Sequence, residues 1–550
     1  MDLSAPIILV LSLLLFGQSL FTLYLMLYSW EQPEREERSR GPTTFRAPKT
    51  KFTIVLPARH EEAVIADTIR SIWASNYPHR MMEIIVVCHS DDEGTIAEAR
   101  RAMKQLRVTR SIRVETFDDP PINKPHGLNV ALRRSKHAVV TIFDAEDDVH
   151  PDVFNIVNTI MLDEGVGVVQ SGVQLMNYRD RWFTIHNCLE YFFWFKSRLH
   201  FHAAVGMIPL GGNTVFMRRD LIEKVGGWDE ECLTEDADIG LRMSLLGEPI
   251  RVVYDAKYVT REETPDSIAS LIRQRTRWNQ GFLQVLRKGT WLQLPGLGRR
   301  LLALYTFSTP LVHMALMMLW PLVLIGSLFL KVPLLVAMVA FLPLYGMVFQ
   351  FAMTMVGAFI FTREYGVRLP IAMPLVMTVT WLPYQWILGW AALRAGYREL
   401  NIHTNWEKTA HSGAHRRVAG KRLPWRARVR RLVTDAPALA ARWGLRAIGH
   451  VWGRASALGR ASLRPALAPA SWRQNADGGG SAAPSAPSAM AIRATMSPPS
   501  ATEPAAAPRP PLPPISPALG TCSVCGAVSR NPARFCRRCG SSISDLVATR

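Results

Sequence analysis

Phe-Thr-Ile-Val-Leu-Pro-Ala-Arg-His-Glu, residues 52–61, is an apolar run that gives way to polar side chains after a proline. Similar runs recur downstream, and segments with helical periodicity separate them. Such alternation predicts an α/β domain with a mainly parallel sheet and helices on both faces. The expected strands are Phe52–Pro57, Glu83–Cys88, Ile112–Phe117 and Val139–Asp144, and the expected helices between them are Glu62–Ala74, Thr95–Gln105, Lys124–Arg134 and Val153–Leu162.

Uncharged apolar runs long enough to cross a bilayer flank this polar domain. Ala5–Ser29 is too long for a signal peptide and predicts an uncleaved anchor. Ala303–Phe329, Val332–Phe361 and Leu369–Leu393 are three further candidate spans. Four crossings would place the polar domain and the C-terminal tail on opposite sides of the membrane. Either the last run is therefore re-entrant, or Ala303–Phe361 contains an additional crossing.

The formal net charge of +19 is concentrated in the tail. Between His411 and Arg473 many arginines and lysines accompany a single acid, Asp435. Beside a bilayer this favours binding to anionic lipid headgroups over binding to nucleic acid, and it favours a cytoplasmic location. Ala476–Pro517 is rich in alanine, proline, serine and glycine, which predicts a disordered linker.

Two Cys-x-x-Cys-Gly sequences follow the linker. Four thiolates at this spacing fit a tetrahedral Zn²⁺ site. A module this small cannot bury an apolar core and needs such a crosslink to fold. A pair of disulfides is the alternative, which a reducing cytoplasm disfavours. Because all four ligands are cysteines, we expect a structural zinc ribbon that docks a protein partner or has a regulatory role. The ligands would be Cys522, Cys525, Cys536 and Cys539.

Four carboxylates lie within five residues at Asp144-Ala145-Glu146-Asp147-Asp148, directly after an apolar run. Like charges this close repel one another unless a cation lies among them. Hard oxygen ligands with room for phosphate suit Mg²⁺ or Mn²⁺. The alternative is an exposed acidic turn without a metal.

Polar residues at three other predicted strand or helix ends are weaker signals. Glu61 could contact a ribose, Asp91 or Asp92 could accept from a uracil N–H, and Lys124 could reach a phosphate. Each of these residues, taken alone, is also explained as an ordinary polar residue at the edge of a sheet.

Two later motifs add acids, a guanidinium and an indole. Thr234-Glu235-Asp236 opens a predicted helix, where simple capping is the alternative explanation. Gln274-x-x-Arg277-Trp278 lies on the predicted amphipathic helix Asp266–Lys288. Indole faces stack on sugar rings and guanidinium groups clamp phosphates. Docking of this helix on the membrane domain would be the other explanation.

Together these motifs resemble family 2 glycosyltransferases, in particular the membrane-bound processive synthases of cellulose, chitin and hyaluronan. The resemblance covers roughly Lys51–His411, and Trp406–His411 is similar to the bacterial exopolysaccharide synthases. It implies a GT-A nucleotide-sugar transferase fold inserted between transmembrane helices. It also implies inversion, which gives β linkages from α-linked donors.

The resemblance also implies a role for each motif. Asp236 would be the general base, with Glu235 beside it at the catalytic centre. Asp144 and Glu146 would hold Mg²⁺ or Mn²⁺, and Asp147 is the alternative to Glu146 as the second ligand. The remaining roles are nucleotide-sugar binding by Pro57, Ala58, Glu61, Asp91, Asp92, Lys124 and Asp144, and acceptor or diphosphate binding by Gln274, Arg277 and Trp278.

The leading hypothesis is a metal-dependent hexosyltransferase of the plasma membrane that polymerises sugars from a UDP-sugar donor and exports the polysaccharide. Transfer of a single sugar to a lipid carrier is the alternative, and an inactive scaffold acting through the basic tail and zinc ribbon is the third. The expected domains are a transmembrane helix 1–30, a cytoplasmic GT-A domain 51–290, an interfacial helix 291–302, transmembrane helices 303–394, a basic cytoplasmic segment 395–475, a linker 476–519 and a zinc ribbon 520–550.

Overall fold

A computed structural model describes the polar domain and the apolar helices that flank it. The four C-terminal cysteines, the predicted linker and most of the basic segment lie outside the described residues. The described residues are 4–108, 110–329, 333–402, 407, 413, 416, 520–521 and 528–529.

Strands in the described residues build the core of the polar domain and one short hairpin near the C-terminus. They are β1 (Phe52–Pro57), β2 (Met82–His89), β3 (Ile112–Phe117), β4 (Val139–Ile142), β5 (Val168–Ser171), β6 (Val173–Leu175), β7 (Val215–Arg218), β8 (Ile250–Val253), β9 (Thr260–Glu262), β10 (Gly520–Thr521) and β11 (Val528–Ser529).

Helices surround this sheet and form the apolar bundle. They are α1 (Ser4–Leu27), α2 (Pro33–Ser39), α3 (Ile65–Trp73), α4 (Glu93–Leu106), α5 (Lys124–Arg134), α6 (Val153–Glu164), α7 (Thr184–Phe193), α8 (Leu199–Val205), α9 (Arg219–Lys224), α10 (Glu235–Leu245), α11 (Ile268–Lys288), α12 (Leu297–Phe307), α13 (Thr309–Phe329), α14 (Leu334–Ala340), α15 (Leu342–Glu364) and α16 (Met373–Leu400).

The central sheet has seven strands in the order β3-β2-β1-β4-β7-β5-β8. Neighbouring strands are parallel except at β7, which runs antiparallel to both β4 and β5. A second, two-stranded sheet pairs β6 with β9 in parallel. The predicted α/β class with a mainly parallel sheet is therefore confirmed.

Side chains alternate between the two faces of this sheet. Ile54 and Leu56 of β1 belong to an apolar cluster that also contains residues of α3, α4 and α6. Val55 of β1 and Ile85 of β2 point to the opposite cluster, which includes Leu128 of α5. Because successive side chains of a strand point to opposite faces, an unbroken apolar run has both faces covered by helices.

Predicted and observed boundaries differ where polar turns begin. β4 ends at Ile142, two residues before the expected end, so the acidic residues form the turn that follows the strand. α3 starts at Ile65 instead of Glu62, because the preceding turn contains His60 with a φ of 53°. Both shifts add residues to loops at the same edge of the sheet.

Within the described residues, three helical segments are long and apolar enough to cross a membrane: Ala5–Trp30, Thr309–Gly326 and Leu334–Glu364. The fourth predicted span, Leu369–Leu393, corresponds to α16, which is not among these candidates. α16 packs along α11 of the polar domain and along α13, which is one of these candidate spans, and it has a smaller contact with α7. The residues of the fourth predicted span therefore contact both the polar domain and the apolar bundle.

Candidate active site

A cavity of about 250 Å³ opens at the carboxyl ends of β1, β2 and β4, beside the start of α10 and the middle of α11. Ligands of parallel sheets bind at this edge. Eleven of the predicted site residues line it, although they come from five separate stretches of the sequence. They are Pro57, Ala58, Glu61, Lys124, Asp144, Glu146, Glu235, Asp236, Gln274, Arg277 and Trp278.

Lys124 lies at the centre of this cavity. The side chain of Asn123 caps α5 by accepting from an N–H in its first turn, which fixes Lys124 as the first residue of the helix. Lys124 Nζ lies 2.7 Å from Asp144 Oδ1 and 3.8 Å from Glu235 Oε1. Burial alone would lower the pKa of Lys124, but the Asp144 and Glu235 carboxylates raise it above its ordinary value. The ammonium group is therefore a permanent positive charge between two acids.

Glu235 and Asp236 open α10 and lie deep in the site. Burial raises the pKa of Glu235 to about 7, and burial also raises the pKa of Asp236. Asp236 Oδ1 accepts a hydrogen bond from the N–H of Ala237 at 2.8 Å, which fixes the orientation of the carboxylate. A buried carboxylate with a raised pKa is suited to take a proton near neutral pH.

The acidic turn divides its carboxylates between the cavity and the protein interior. Asp144 and Glu146 line the cavity. Asp147 is fully buried, and it accepts from the N–H of Asp144 at 2.8 Å and from Asn213 Nδ2 at 2.9 Å. Its side chain therefore holds the turn in shape, and Glu146 is the better placed partner for Asp144.

Two carboxylates, Asp144 and Glu146, would be the protein's contribution to a Mg²⁺ or Mn²⁺ site here. No cluster of three or more His, Cys, Asp or Glu side chains suited to a metal occurs among the described residues. Mg²⁺ commonly takes one or two carboxylates and completes its shell with substrate phosphates and water. The donor set fits a cation shared with a diphosphate, and it does not fit a cation bound by protein alone.

Asp91 and Asp92 do not line the cavity. Asp92 caps α4, accepts from the N–H of Thr95 at 3.3 Å and from the N–H of His60 at 2.6 Å. It thereby supports the turn that carries Glu61. Asp91 is paired with Arg59 and His89, and these hydrogen bonds lower its pKa to about 2. Arg59 and His89, which sequence reasoning did not single out, line the cavity instead.

A second, larger cavity of about 620 Å³ meets the first at the predicted base. Its lining shares Asp236, Trp278, Tyr191 and Gly212 with the smaller cavity. From there it extends among α1, α13, α15 and α16. A group bound at its near end and a ligand in the smaller cavity would therefore both face Asp236.

The lining of the larger cavity changes along its length. Near Asp236 it includes polar and aromatic side chains such as Thr234 and Trp278, which also line the smaller cavity. Met347 lies about 25 Å along α15 from Glu364, whose carboxylate pairs with Lys196 of the polar domain at 2.6 Å. Around Met347 most of the wall is apolar, next to the polar pair Ser19 and Gln350: it includes Leu15, Pro321, Leu324, Ile325 and Pro343.

Trp278 is held by residues that the sequence motifs did not reveal. The Arg275 guanidinium lies 4.4 Å from the centre of the Trp278 ring. Arg275 pairs in turn with Glu190 of α7, which accepts a hydrogen bond from the Tyr384 hydroxyl of α16 at 3.0 Å. The contacts join three distant segments, so no local pattern could indicate them. Gln274 Oε1, one turn earlier, is buried and has no hydrogen-bond partner among the described residues.

Arg416 is a second residue that motif analysis missed. Its Nη2 donates to the carbonyl oxygens of Glu146 at 2.9 Å and Asp147 at 2.7 Å, and to Thr68 Oγ1 at 2.6 Å. Thr68 Oγ1 itself donates to the carbonyl of Ala145. A residue that follows the last helix of the bundle thus fixes the backbone of the acidic turn.

The sequence is similar to curated glycosyltransferases over its polar domain. A β-monoglucosyldiacylglycerol synthase of Trichormus variabilis is 28% identical over 237 residues, which are 42% of this chain and 49% of that protein. A poly-β-1,6-N-acetyl-D-glucosamine synthase of Staphylococcus epidermidis is 22% identical over 258 residues, which are 46% of this chain and 59% of that protein. The chain thus spans about half the length of the curated relatives it matches.

Among solved structures, a mannosyltransferase of Pyrobaculum calidifontis in complex with GDP-Man and Mn²⁺ superposes with a TM-score of 0.45 at 18% identity. The superposition covers 73% of this chain and 99% of that one. Residues 48–281 match the sequence model of the family described as "Glycosyltransferase like family 2". This segment contains the parallel sheet and every lining residue of the smaller cavity. Residues 48–281 of this chain are therefore similar to family 2 glycosyltransferases and have an α/β fold with a mainly parallel sheet.

Proposed function

We propose that the protein transfers one sugar from a nucleoside diphosphate sugar, expected to be a UDP-sugar, to the hydroxyl group of a lipid acceptor, with inversion at the anomeric carbon. The observation that carries this proposal is the meeting of two unlike cavities at Asp236. The smaller one is polar and suits a nucleotide sugar. The larger one is polar near Asp236 and aliphatic at its far end, which suits an amphiphile.

In this proposal the acceptor hydroxyl lies at the Asp236 carboxylate, which removes its proton as the oxygen attacks the anomeric carbon. The bond from that carbon to the diphosphate breaks on the opposite side, which inverts the configuration. Lys124 and Arg277 bind the departing diphosphate as charge develops on it. Asp144 and Glu146 would hold a divalent cation, whose contribution when bound is to stabilise the same leaving group.

The lipid acceptor is favoured over a growing polysaccharide by the far end of the larger cavity. A glycan that leaves through the membrane needs polar or aromatic walls along its whole path. Leu15, Ile325 and Met347 provide neither. The similarity to a β-monoglucosyldiacylglycerol synthase supports the same choice. The sequence motifs alone ranked polymerisation first, so this proposal reverses that order.

Polymerisation is the second candidate function because aromatic rings line the near part of the cavity. Tyr191, Trp278, Trp381 and Trp386 all contribute to it, and such rings stack on sugars. The similarity to a poly-β-1,6-N-acetyl-D-glucosamine synthase agrees with this reading. An inactive scaffold is disfavoured, since Lys124, Asp144 and Asp236 converge on one cavity.

The experiment that tests the proposal uses the full-length protein in nanodiscs with a panel of UDP-sugars and Mg²⁺ or Mn²⁺. Diacylglycerol is added in one arm and omitted in the other, and UDP release and product mass are measured. We expect a lipid one hexose heavier than the acceptor, and little UDP release without it. A ladder of products that forms without added lipid would establish the polymerase instead.

Three interpretations of the tail remain predictions, because they concern residues outside those described. A structural Zn²⁺ is expected at the four C-terminal cysteines, with a protein partner for the ribbon. The basic segment is expected to bind anionic lipid in the cytoplasm. The linker is expected to be disordered. Near the C-terminal cysteines, the described residues show the antiparallel pairing of β10 with β11.

The pH dependence of kcat/KM is expected to show an acidic limb centred near pH 7, because burial raises the pKa of Glu235 to about 7 and also raises that of Asp236. Below this pH the acid pair gains a proton, so the base is lost. At one pH unit below the midpoint of this limb, kcat/KM should be about tenfold below its plateau value at high pH. The measurement is initial rate against pH at low donor concentration.

Glu235→Gln provides the control for this pH profile. It removes a negative charge beside Asp236 and should therefore lower the pKa of the remaining acid and move the acidic limb to lower pH. A wild-type profile that stays flat between about pH 5 and pH 8 would contradict the assignment of a buried base.

Arg416→Ala is expected to raise the Mg²⁺ concentration needed for half-maximal activity about tenfold or more. The variant removes charged hydrogen bonds that fix the acidic turn, and such bonds contribute about 1.5–3 kcal/mol each. Arg46→Ala is a matched control, since the Arg46 side chain is exposed, pairs with Asp163 and lines neither cavity. Equal Mg²⁺ dependence in the wild type and the Arg416 variant would show that the turn holds its shape without this arginine.

A further inference from the structure

One face of α16 is buried against the polar domain over most of the helix. Met377, Tyr384, Leu388, Ala391 and Ala395 are buried there. At about 100° per residue they fall within roughly 60° of arc. Their partners are residues of α7 and α11: His186 Nε2 bonds Thr380 Oγ1 at 2.9 Å, and Thr276 Oγ1 donates to the Ala391 carbonyl at 3.3 Å.

Both ends of α16 are attached to the same polar domain. Just before the helix, the carbonyl of Arg368 accepts from the Tyr178 hydroxyl at 3.1 Å. Near its end, Arg398 Nε donates to Gln280 Oε1 at 2.9 Å. A helix of 28 residues is about 42 Å long, which exceeds the roughly 30 Å of a hydrocarbon core. If it crossed the membrane, its ends would lie on opposite sides, and a single polar domain could not contact both.

The opposite face of α16 is an exposed apolar stripe, formed by side chains three, four and seven residues apart that fall within about 80° of arc. Two of them are tryptophans, the residue type enriched where a bilayer meets water. A helix with one such stripe and polar anchors at its ends typically lies in the membrane interface. The stripe, which borders the larger cavity at Leu382 and Trp386, consists of Leu375, Val379, Leu382, Trp386, Trp390 and Tyr397.

The stripe adjoins the helices that are candidate membrane spans. A Cβ atom on Gly389 of α16 would lie 2.7 Å from Met317 Cβ of α13, so these two helices cross in direct contact. Trp381 of α16 and Phe351 of α15 pack with ring centres 5.4 Å apart. A bilayer that surrounds α13 and α15 would therefore reach the exposed face of α16.

We propose that α16 lies in the plane of the membrane, with its apolar stripe inserted at the boundary between phospholipid headgroups and acyl chains. The described part of the chain then crosses the membrane at α1, α13 and α14–α15. With three crossings, the residues after α16 lie on the same side of the membrane as the glycosyltransferase domain. Four crossings would have placed the domain and the tail on opposite sides. α11, with Trp278, is thereby held at the lipid surface. The proposal is independent of the identity of the acceptor.

The test measures the depth of α16 along its length in the full-length protein in phospholipid vesicles. A clickable amino acid is placed singly at Leu375, Leu382, Trp390 or Tyr397, coupled to a fluorophore, and quenched by lipids with a doxyl group near the headgroup or near the chain end. We expect all four positions to be quenched more strongly by the shallow doxyl group, to within about twofold of one another. Leu322 on α13 should prefer the deep quencher, and Leu162 on α6 should not respond.

Two outcomes would overturn the proposal. If Leu382 and Trp390 are quenched by the deep probe while Leu375 and Tyr397 are shallow, the helix crosses the membrane. If none of the four positions responds while Leu322 does, the stripe is covered by water or protein instead of lipid. Neither outcome depends on transferase activity, so the result stands apart from the proposed function.

Discussion

Replacing Asp236 with asparagine is expected to lower kcat by about 10²–10⁴-fold, the range typical of a lost general base. The amide has the size of the carboxylate, and its oxygen can still accept the 2.8 Å hydrogen bond from the N–H of Ala237. The geometry is therefore kept while the proton acceptor is removed. Donor affinity, measured by UDP-sugar titration, should change by less than about threefold, because the variant loses no phosphate contact.

Asp220→Asn is a matched control for this substitution. Asp220 also occupies the first turn of a helix, but it is exposed and paired with Arg218 far from either cavity. Its kcat should equal that of the wild type. Glu235→Gln separates the two adjacent acids: if it lost more activity than Asp236→Asn, the roles of the pair would be exchanged. An Asp236→Asn variant with at least half the wild-type kcat would refute the assignment.

The elements with strong local patterns could be predicted from the sequence. β1, β3 and α5 have the expected bounds, because their apolar and capping residues determine where they begin and end. Strands after β4 have no such signal: Val168–Ser171 and Val215–Arg218 are only four residues long. The insertion of antiparallel β7 between β4 and β5 depends on contacts between segments far apart in sequence.

The site could be predicted where it follows from topology. Strand ends such as Asp144 and helix starts such as Asp236 meet at one edge of a parallel sheet, so their convergence follows from the fold. The direction in which each side chain points does not follow from the fold. Asp147 turns into the interior and Asp92 caps a helix. Arg416 reaches the acidic turn across more than 250 residues of sequence, which no local motif encodes.

The packing of α16 could not be predicted for a related reason. Its charge-free run, residues 369–393, predicts a membrane span, but α16 is not among the helices apolar enough to be candidates, and the absence of charge does not distinguish a face covered by lipid from a face covered by protein. The buried small residues Ala391 and Ala395 let α11 approach closely, whereas Trp386 and Trp390 remain exposed. Only the partner helix reveals which face is which, and that partner lies about a hundred residues earlier.

Gly281→Ala is expected to lower kcat/KM about 10²-fold and to destabilise the protein by about 1–3 kcal/mol. A Cβ atom at Gly281 would lie 2.5 Å from Thr234 Cγ2 and 2.7 Å from Thr234 N. Thr234 directly precedes Glu235 and Asp236, and Gln284, one turn along α11, accepts from the N–H of Leu233 at 2.9 Å. The added methyl group must therefore push α11, with Trp278, away from the predicted base.

The sign of the stability change makes this substitution diagnostic. In a helix interior without neighbours, alanine is favoured over glycine by about 1 kcal/mol, so contact with Thr234 must reverse the usual effect. Gly298→Ala on α12 is the control, because nothing lies within 4 Å of its added Cβ. Thermal unfolding midpoints and transfer rates are measured for both variants in the same nanodiscs. A Gly281→Ala protein that melts higher and transfers sugar at the wild-type rate would mean that α10 and α11 are not in contact, and the two cavities would then not share Asp236.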